Sequence, residues 1–388
     1  MAQTQLEEIA SRISDLNKWR DIFSFHGLEI SNGAHQPGRG NTGDGTPAAG
    51  EPRGLQPPDP SCAIPVPLLV PVDAGGQPIS LDMAMGLRKL LLGKVSHVFS
   101  CEWTKAHFRF RQPCSDLAYG LEADKGGTRA ILMAVQAHII RHLLFGRNTA
   151  ETHLERLQGV GRGEQGEALA AALTELLWAA GGGGRATVCL VTTATHFVPC
   201  GDYRADSFTE RIQLFEFWEK AAAQEFISDH INCFRGKGSH GVILFVYSLL
   251  FSRTLERVQE DLKGTATPLL KLSLGSISCT QVCPGLRTPQ VPIWLCSLCG
   301  RHGVLFSTNS LLLSCWRAER VFHLHFYNGQ QEQIKPTQLT IDTHSHHWEE
   351  DQREDTSSPG KRRPPVEMAI RTKWAGATVS WNGTEPFF

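Results

Sequence analysis

The sequence lacks a strong net charge and a long apolar run. Its 38 basic and 39 acidic side chains give a formal charge of −1, so nothing attracts the whole chain to nucleic acid or anionic membranes. No window reaches the roughly 18 uninterrupted apolar residues of a membrane span. The opening MAQTQLEEIASRI is polar and acidic early, so no signal peptide is expected. We expect an intracellular, cytoplasmic or nuclear protein with no nucleic-acid or membrane partner.

Phosphate-binding motifs are also missing. The glycine-rich runs at 159–166 and 181–184 do not match Gly-x4-Gly-Lys-Ser/Thr, and neither lies between a strand and a helix in the required order. We interpret both runs as loops or linkers. No stripe of alternating basic and aromatic residues appears, which argues against nucleic-acid binding.

The cysteines lack the pairing expected of a disulfide framework. There are eleven of them, an odd number scattered through apolar segments, which indicates reduced thiols. Cys279, Cys283, Cys296 and Cys299 form two close pairs and are candidate zinc ligands, as in a zinc-stabilised interaction module. The alternative is that the segment around Cys296 is an apolar strand whose thiols are small core side chains. We favour that alternative and expect no metal and no cofactor.

What the sequence does contain predicts three regions. Residues 1–30 are expected to form an amphipathic helix, and residues 31–62 a disordered linker rich in glycine and proline. Residues 63–388 are expected to form one domain, interrupted by a disordered loop at 349–365, where acidic residues give way to basic ones.

Within that domain, helices and strands are mixed without regular β-α-β alternation, so the predicted class is α+β. Ser80 is expected to cap a helix that Gly93 ends. The other expected helices are 167–180, 209–233 and 253–263, with 242–250 open between helix and strand. The expected strands are 63–71, 106–111, 186–193, 303–306, 321–327, 333–341 and 371–382.

The domain is organised around the stretch from Tyr119 to Gly146. Gly126 and Gly127 lead into an apolar helix whose spacing predicts burial on most sides, with Thr128 as N-cap and Gly146 as the C′ residue. Thiol hydrolases place their nucleophile at such a junction, because the helix N-terminus lowers a thiol's pKa. Arg129 occupies the first turn here. The frame of such a site is present without its cysteine.

Several short segments follow one another along the chain, including Tyr119-Gly-Leu, Tyr247-Ser-Leu-Leu, Leu305-Phe-Ser, Leu339-Thr-Ile-Asp-Thr and Arg371-Thr-Lys-Trp. In this order they resemble the MINDY family of deubiquitinases, cysteine hydrolases that cleave lysine-48-linked polyubiquitin. The resemblance runs from about Pro78 to Phe388. It implies a papain-like fold with a central buried helix packed on a mixed sheet, and ubiquitin or polyubiquitin as partner.

The resemblance also implies where catalytic residues should lie. Active members resemble Gln-x-x-Gly-Gly-Pro-Cys-Gly, which places the nucleophile on Arg129 and the oxyanion glutamine on Ala123. The base histidine falls on Arg301, with His302 one position away, and a one-residue offset in a strand turns a side chain to the opposite face. All three positions are substituted. We therefore expect a catalytically inactive member that binds ubiquitin chains or acts as a scaffold.

Two alternatives remain open. The chain could be an active deubiquitinase, as the family implies, with Cys101 or Cys114 replacing the nucleophile, although no feature near either predicts a lowered thiol pKa. The zinc-stabilised module is the other. A further departure is that the connection between Asp261 and Thr288 is shorter than the helical segment of family members.

Overall fold

The computed structural model of the 388-residue chain describes residues 65–124, 126–146, 154–263, 269, 289–298, 301–344 and 364–386. The predicted N-terminal helix, the linker and most of the 349–365 loop lie outside these residues. Within them, no helix combines the length and the apolar character needed to cross a membrane.

Helices and antiparallel strands make up the described part of the chain, which confirms the α+β class. The helices are α1 (Leu81–Leu92), α2 (Cys101–Lys105), α3 (Arg129–Phe145), α4 (Glu155–Gln158), α5 (Arg162–Ala180), α6 (Lys220–Asp229), α7 (Asn232–Arg235), α8 (Gly241–Arg253), α9 (Leu255–Asp261) and α10 (Pro365–Lys373). The strands are β1 (Gln77–Pro78), β2 (Ala186–Val191), β3 (Ile212–Phe217), β4 (Ile293–Leu298), β5 (Arg301–Phe306), β6 (Val321–Tyr327), β7 (Thr337–Asp342) and β8 (Thr378–Ser380).

The strands form two sheets, one in the order β1-β3-β2 and one in the order β4-β5-β6-β7-β8. The sequence predicted a mixed sheet, but each pairing between these strands is antiparallel. For two of the pairs, the connections 299–300 (β4 to β5) and 328–336 (β6 to β7) are too short for the crossover that parallel pairing needs.

The α3 helix is buried as predicted, with α5 on one side and β4 and β5 on another. Its ends differ from the prediction. The Thr128 side chain makes no capping hydrogen bond, and Gly146 has φ −76°, so it is not a left-handed C′ residue. Close approach explains the glycine instead, because a Cβ on Gly146 would lie 2.5 Å from the His142 carbonyl oxygen.

The five-stranded sheet has two apolar faces. Val304 and Phe306 of β5 join the main core, which contains the apolar side of α3, whereas Leu305 joins a second core with α10. The β4 residues alternate in the same way, since Leu295 packs on the main core and Cys296 lies in the second. Alternate residues of β4 and β5 therefore face α3, and the residues between them face the second core.

Serines of α8 cover the free edge of β2. Ser248 Oγ accepts a hydrogen bond from the Cys189 N–H at 2.8 Å, and Ser252 Oγ accepts one from the Thr187 N–H at 2.8 Å. Four helical residues span about 6.0 Å and two strand residues about 6.6 Å, so the two spacings match. The edge is thereby closed to pairing with another chain.

Local signals predicted some elements correctly. The Ser80 hydroxyl accepts from the Met83 N–H at 3.2 Å, and Gly93 ends α1 with φ 81°. The ambiguous 242–250 segment is helical, as part of α8.

Other predictions were wrong. The expected helix at 209–233 contains β3, whose pairing with β1 and β2 overrides its local pattern. The expected loop at 159–166 becomes helical at α5, where the Glu164 carboxylate accepts from the Gly161 N–H at 3.0 Å. The expected strand at 371–382 is the end of α10 followed by the short β8.

Three more boundaries differ. The described part of the 63–71 segment contains one 3-10 turn, Val66–Leu68, and a bridge from Val70 to Thr192. Phe110 alone forms a bridge within 106–111. The charged helix starts after Thr254, whose φ of 75° separates α8 from α9.

Candidate functional site

The loop that leads into α3 is fixed by a buried glutamine of that helix. Gln136 Oε1 accepts from the Leu121 N–H at 2.6 Å, and its Nε2 donates to the Tyr119 carbonyl at 3.0 Å. From β6, the Tyr327 hydroxyl donates to the Leu121 carbonyl at 2.9 Å. The Gln136 side chain is fully buried. Backbone polar groups that would otherwise be unsatisfied are thus paired, and the loop is held in one position.

The turn between β6 and β7 closes the site from the other side. The Gly329 carbonyl accepts from the Ala123 N–H at 2.8 Å. Gly329 has φ 72°, and a Cβ there would lie 2.8 Å from the Ala123 Cβ and 2.9 Å from the Met133 Cε. Only glycine fits this close approach in the left-handed region without displacement.

Arg129 is the first residue of α3 and is only 4% exposed. Its Nη2 donates to the Ala123 carbonyl oxygen at 3.0 Å. The structure thus brings the predicted nucleophile and oxyanion positions into direct contact. Ala123 can donate nothing to an oxyanion, since its N–H is bonded to Gly329 and its side chain is a methyl group.

Charges around Arg129 are uneven. Burial and then Arg301 lower the pKa of the Arg129 guanidinium, whereas Glu332 and Asp124 raise it to a smaller extent. Arg301 is the residue that the resemblance places at the base position. Arginine stays protonated in proteins, so neither guanidinium can serve as nucleophile or base.

His302 and Arg301 occupy opposite faces of β5, as the one-residue offset predicts. Cross-strand pairing sets Arg301 opposite Leu298 and His302 opposite Ser297. His302 lies two residues before Val304 in β5, so both side chains are on the face of the sheet toward α3. His302 is 4% exposed. Its Nε2 lies 3.3 Å from Ser297 Oγ. The retained imidazole is thus on the helix side of the sheet, hydrogen-bonded across the hairpin.

The candidate zinc ligands are not assembled in the described part of the chain. Cys296 is buried in β4 opposite Gly303, in the second core. Cys279, Cys283 and Cys299 lie outside the described residues. Among residues that the structure describes, no cluster of three or more His, Cys, Asp or Glu side chains could hold a metal ion.

The two candidate substitute nucleophiles are both exposed. Cys101 is the first residue of α2, a helix of five residues. Its neighbour Glu102 lies against the loop, since a Cβ on Gly126 would be 2.0 Å from the Glu102 Oε1. Cys114 lies in a turn with φ 54°, and its N–H donates to the Val160 carbonyl.

Sequence reasoning missed four residues that shape this site: Gln136, Ser297, Tyr327 and Glu332. A glutamine in the middle of an apolar helix is a signal that could have identified Gln136, because buried polar side chains need partners. The Asn328-Gly329 pair was a visible turn signal, but its contact with Ala123 was not.

Comparison with known proteins identifies the family. The family profile described as "Deubiquitinating enzyme MINDY-3/4, conserved domain" matches residues 88–285 and 275–383. The mouse protein described as "Probable ubiquitin carboxyl-terminal hydrolase MINDY-4" is 31% identical over 374 residues, which cover 83% of this chain and 49% of the relative. Its human counterpart is 31% identical over 376 residues, covering 83% and 48%. No solved structure matches the chain.

The chain therefore belongs to the MINDY-3/4 family of deubiquitinating enzymes, as the resemblance implied. It spans about half the length of the curated relatives it matches.

Proposed function

We propose that this protein is a MINDY-family pseudo-deubiquitinase, which binds ubiquitin or polyubiquitin without cleaving it. The observation that carries the proposal is the contact of Arg129 with the Ala123 carbonyl at the start of α3. A guanidinium and a methyl-bearing residue occupy the positions where the family resemblance puts a thiol and an oxyanion donor.

The chemistry of peptide-bond cleavage supports inactivity. A covalent mechanism needs a nucleophile, a general base and an oxyanion donor within reach of one carbonyl. Arg129 cannot attack, and the Ala123 N–H is bonded to Gly329. Arg301, at the base position, stays protonated, and His302 lies on the opposite face of β5 from it. Loss of the nucleophile alone removes most activity, and loss of a donor costs about 10²–10³ more in kcat.

Ubiquitin binding is supported by family membership and by the retained scaffold. The relatives are described as ubiquitin carboxyl-terminal hydrolases. The side chains of Gln136 and Tyr327 hold the loop before α3 in place, although the catalytic positions are substituted. A surface that recognises ubiquitin is spread over many residues and does not depend on the reacting atoms. We propose lysine-48-linked chains as the first ligand to examine.

The test treats the purified full chain with a ubiquitin C-terminal electrophilic probe and with lysine-48-linked chains. We expect no covalent labelling and no cleavage, together with saturable chain binding in a titration. The control variants are Cys101→Ala and Cys114→Ala. Labelling that either substitution abolishes would show that a substitute nucleophile works and that the protein is an active cysteine-type deubiquitinase.

A further inference from the structure

We propose that the outer edge of β4 pairs with β4 of a second copy of this chain, so that the two five-stranded sheets join into one continuous sheet. The inference goes beyond the proposed function and does not depend on it, since the pairing needs neither ubiquitin nor a catalytic residue. It assigns a partner to a strand edge that the described residues leave open.

The backbone of β4 alternates between groups that bond to β5 and groups that point away from it. The Ser307 N–H donates to the Pro292 carbonyl at 2.9 Å, in the pair just before the first one of the β4–β5 ladder. Because bonded and non-bonded pairs alternate in an antiparallel ladder, the even-numbered residues of β4 bond to β5. Ile293, Leu295 and Ser297 therefore direct their N–H and C=O groups toward the free edge.

These outward groups have few partners within the part of the chain that the structure describes. The Ile293 N–H donates locally, to the Val291 carbonyl at 2.7 Å. The N–H and C=O groups of Leu295 and Ser297 bond to no neighbouring element among the described residues, and Ser297 is exposed. The edge of β2, by contrast, is closed by the two serines of α8. One sheet thus covers its edge and the other presents it.

β4 lacks the charged residues and bulges that keep an edge strand from pairing. No charged residue occurs from Val291 to Gly300, and the register with β5 is continuous. Leu295 packs on the main core on one face of the sheet. On the other face, Trp294 packs edge to face on Trp374, with ring centroids 5.6 Å apart. An extended apolar edge of this kind is a template for another strand.

A second copy of the same strand fits this edge because the outward groups are symmetric about Leu295. A two-fold axis perpendicular to the sheet sets Leu295 opposite its own copy and Ser297 opposite Ile293. Each copy then donates from the N–H groups of Leu295 and Ser297 and accepts at the carbonyls of Leu295 and Ile293. Between these pairs, Trp294 lies opposite Cys296 of the second copy, a large side chain against a small one. A charge near the axis would repel its own copy, and this strand has none.

Sedimentation velocity of the full chain measures the association. We expect the mass to rise from one chain to two with increasing concentration, since a single strand pair is a small interface and should associate reversibly. Ser297→Pro removes an outward N–H that β5 does not use, and it should raise the dissociation constant about tenfold. Ser297→Ala is the matched control, because it keeps that N–H and should dimerise like the wild type. Urea denaturation at low concentration checks that both variants fold.

A cross-link tests the register of the pairing. Leu295→Cys places two thiols opposite each other at the two-fold axis, with Cα atoms about 5.5 Å apart, which suits a disulfide. Mild oxidation should therefore link the two copies of position 295, as identified by peptide mass spectrometry. Val321→Cys, an exposed position on the inner strand β6, is the control and should give no such link between its two copies.

A protein that stays monomeric at every concentration would overturn the proposal and leave this edge to a strand of another protein. A dimer that forms no link at position 295, or that Ser297→Pro does not weaken relative to Ser297→Ala, would overturn it by placing the contact on a different surface. The ubiquitin titration is a separate measurement. A monomer that binds ubiquitin leaves the proposed function intact, and a linked dimer that does not bind ubiquitin leaves the β4 pairing intact.

Discussion

Two buried arginines of this protein have opposite surroundings. Arg88, on α1, is 1% exposed, and its Nη2 lies 2.9 Å from Asp206 Oδ2 and 3.8 Å from Glu210 Oε1. Its guanidinium carbon also lies 4.0 Å above the Tyr203 ring. Arg129 is nearly as buried but donates to a single neutral carbonyl.

The difference separates a structural charge from a charge in a functional position. Arg88 joins α1 to the connection that precedes β3, and each partner in that cluster has further contacts, such as the 2.9 Å bond from the Tyr203 hydroxyl to Glu210. Arg129 contributes no comparable network. Unsatisfied buried groups in native proteins concentrate at functional sites, where local rules are broken for a purpose.

Replacing Arg88 should have the largest effect on stability. Arg88→Met leaves the buried Glu210 and the half-buried Asp206 without their cation, so we expect a loss of about 3–5 kcal/mol in the free energy of unfolding. Urea denaturation measures it. Arg109→Met is the control, because Arg109 forms an ion pair with Glu122 at the surface and should cost less than about 1 kcal/mol. Equal losses in Arg88→Met and Arg109→Met would show that the ion pairs of Arg88 stabilise the fold no more than a surface ion pair does.

His325 shows a further way to bury a basic side chain, which is to leave it neutral. Burial, and His323 to a smaller extent, lower its pKa from 6.5 to about 4. The folded state therefore binds a proton less readily than the unfolded state. The contribution of neutral His325 to the free energy of unfolding is therefore complete above pH 6.5. It should decline as the pH falls toward 4, by up to about 3 kcal/mol.

His325→Phe tests that expectation. The centroids of the His325 and Phe306 rings are 5.3 Å apart, and a phenylalanine at position 325 preserves this contact. The difference in unfolding free energy between wild type and variant should change with pH between 6.5 and 4. A difference that is constant over this range would show that His325 does not titrate as its burial indicates.

Arg129→Met should change stability least of the three. The substitution removes an unpaired buried charge and one hydrogen bond, so we expect a shift within about 1 kcal/mol, or a gain. Urea denaturation beside Arg88→Met gives the direct comparison. A loss as large as that of Arg88→Met would mean that Arg129 has a strong internal partner.

Local chemistry explains which parts of the fold the sequence predicted. The caps at Ser80 and Gly93 act within a few residues, and the periodicity of α3 reports its own burial. β3 was assigned to a helix because its strand state depends on pairing with β1 and β2. The role of the two α8 serines could not be predicted for the same reason, since Ser248 covers the strand edge only because the fold places it beside Cys189.

The candidate site divides in the same way. The positions of Ala123, Arg129 and Arg301 came from a linear match, and the structure brings Arg129 into contact with the Ala123 carbonyl. That Ala123 has no free N–H depends on Gly329, which is distant in sequence. The face on which His302 lies depends on the register of a hairpin. Contacts between distant segments decide both, and a single sequence does not contain them.

Placing a thiol at position 129 should have the smallest effect of these substitutions, because we expect the variant to show no catalytic turnover. Arg129→Cys removes the unpaired guanidinium and places a thiol at the helix N-terminus, where the dipole favours the thiolate. His302 lies on the α3 side of the sheet, but Ala123 still offers no donor to the oxyanion. We expect labelling by the electrophilic probe without measurable cleavage of lysine-48-linked chains, and Arg129→Ser as control should show neither. Adding Ala123→Gln should then raise cleavage above that of Arg129→Cys alone. Turnover by the single variant would show that His302 serves as base and that Arg129 alone keeps the site inactive.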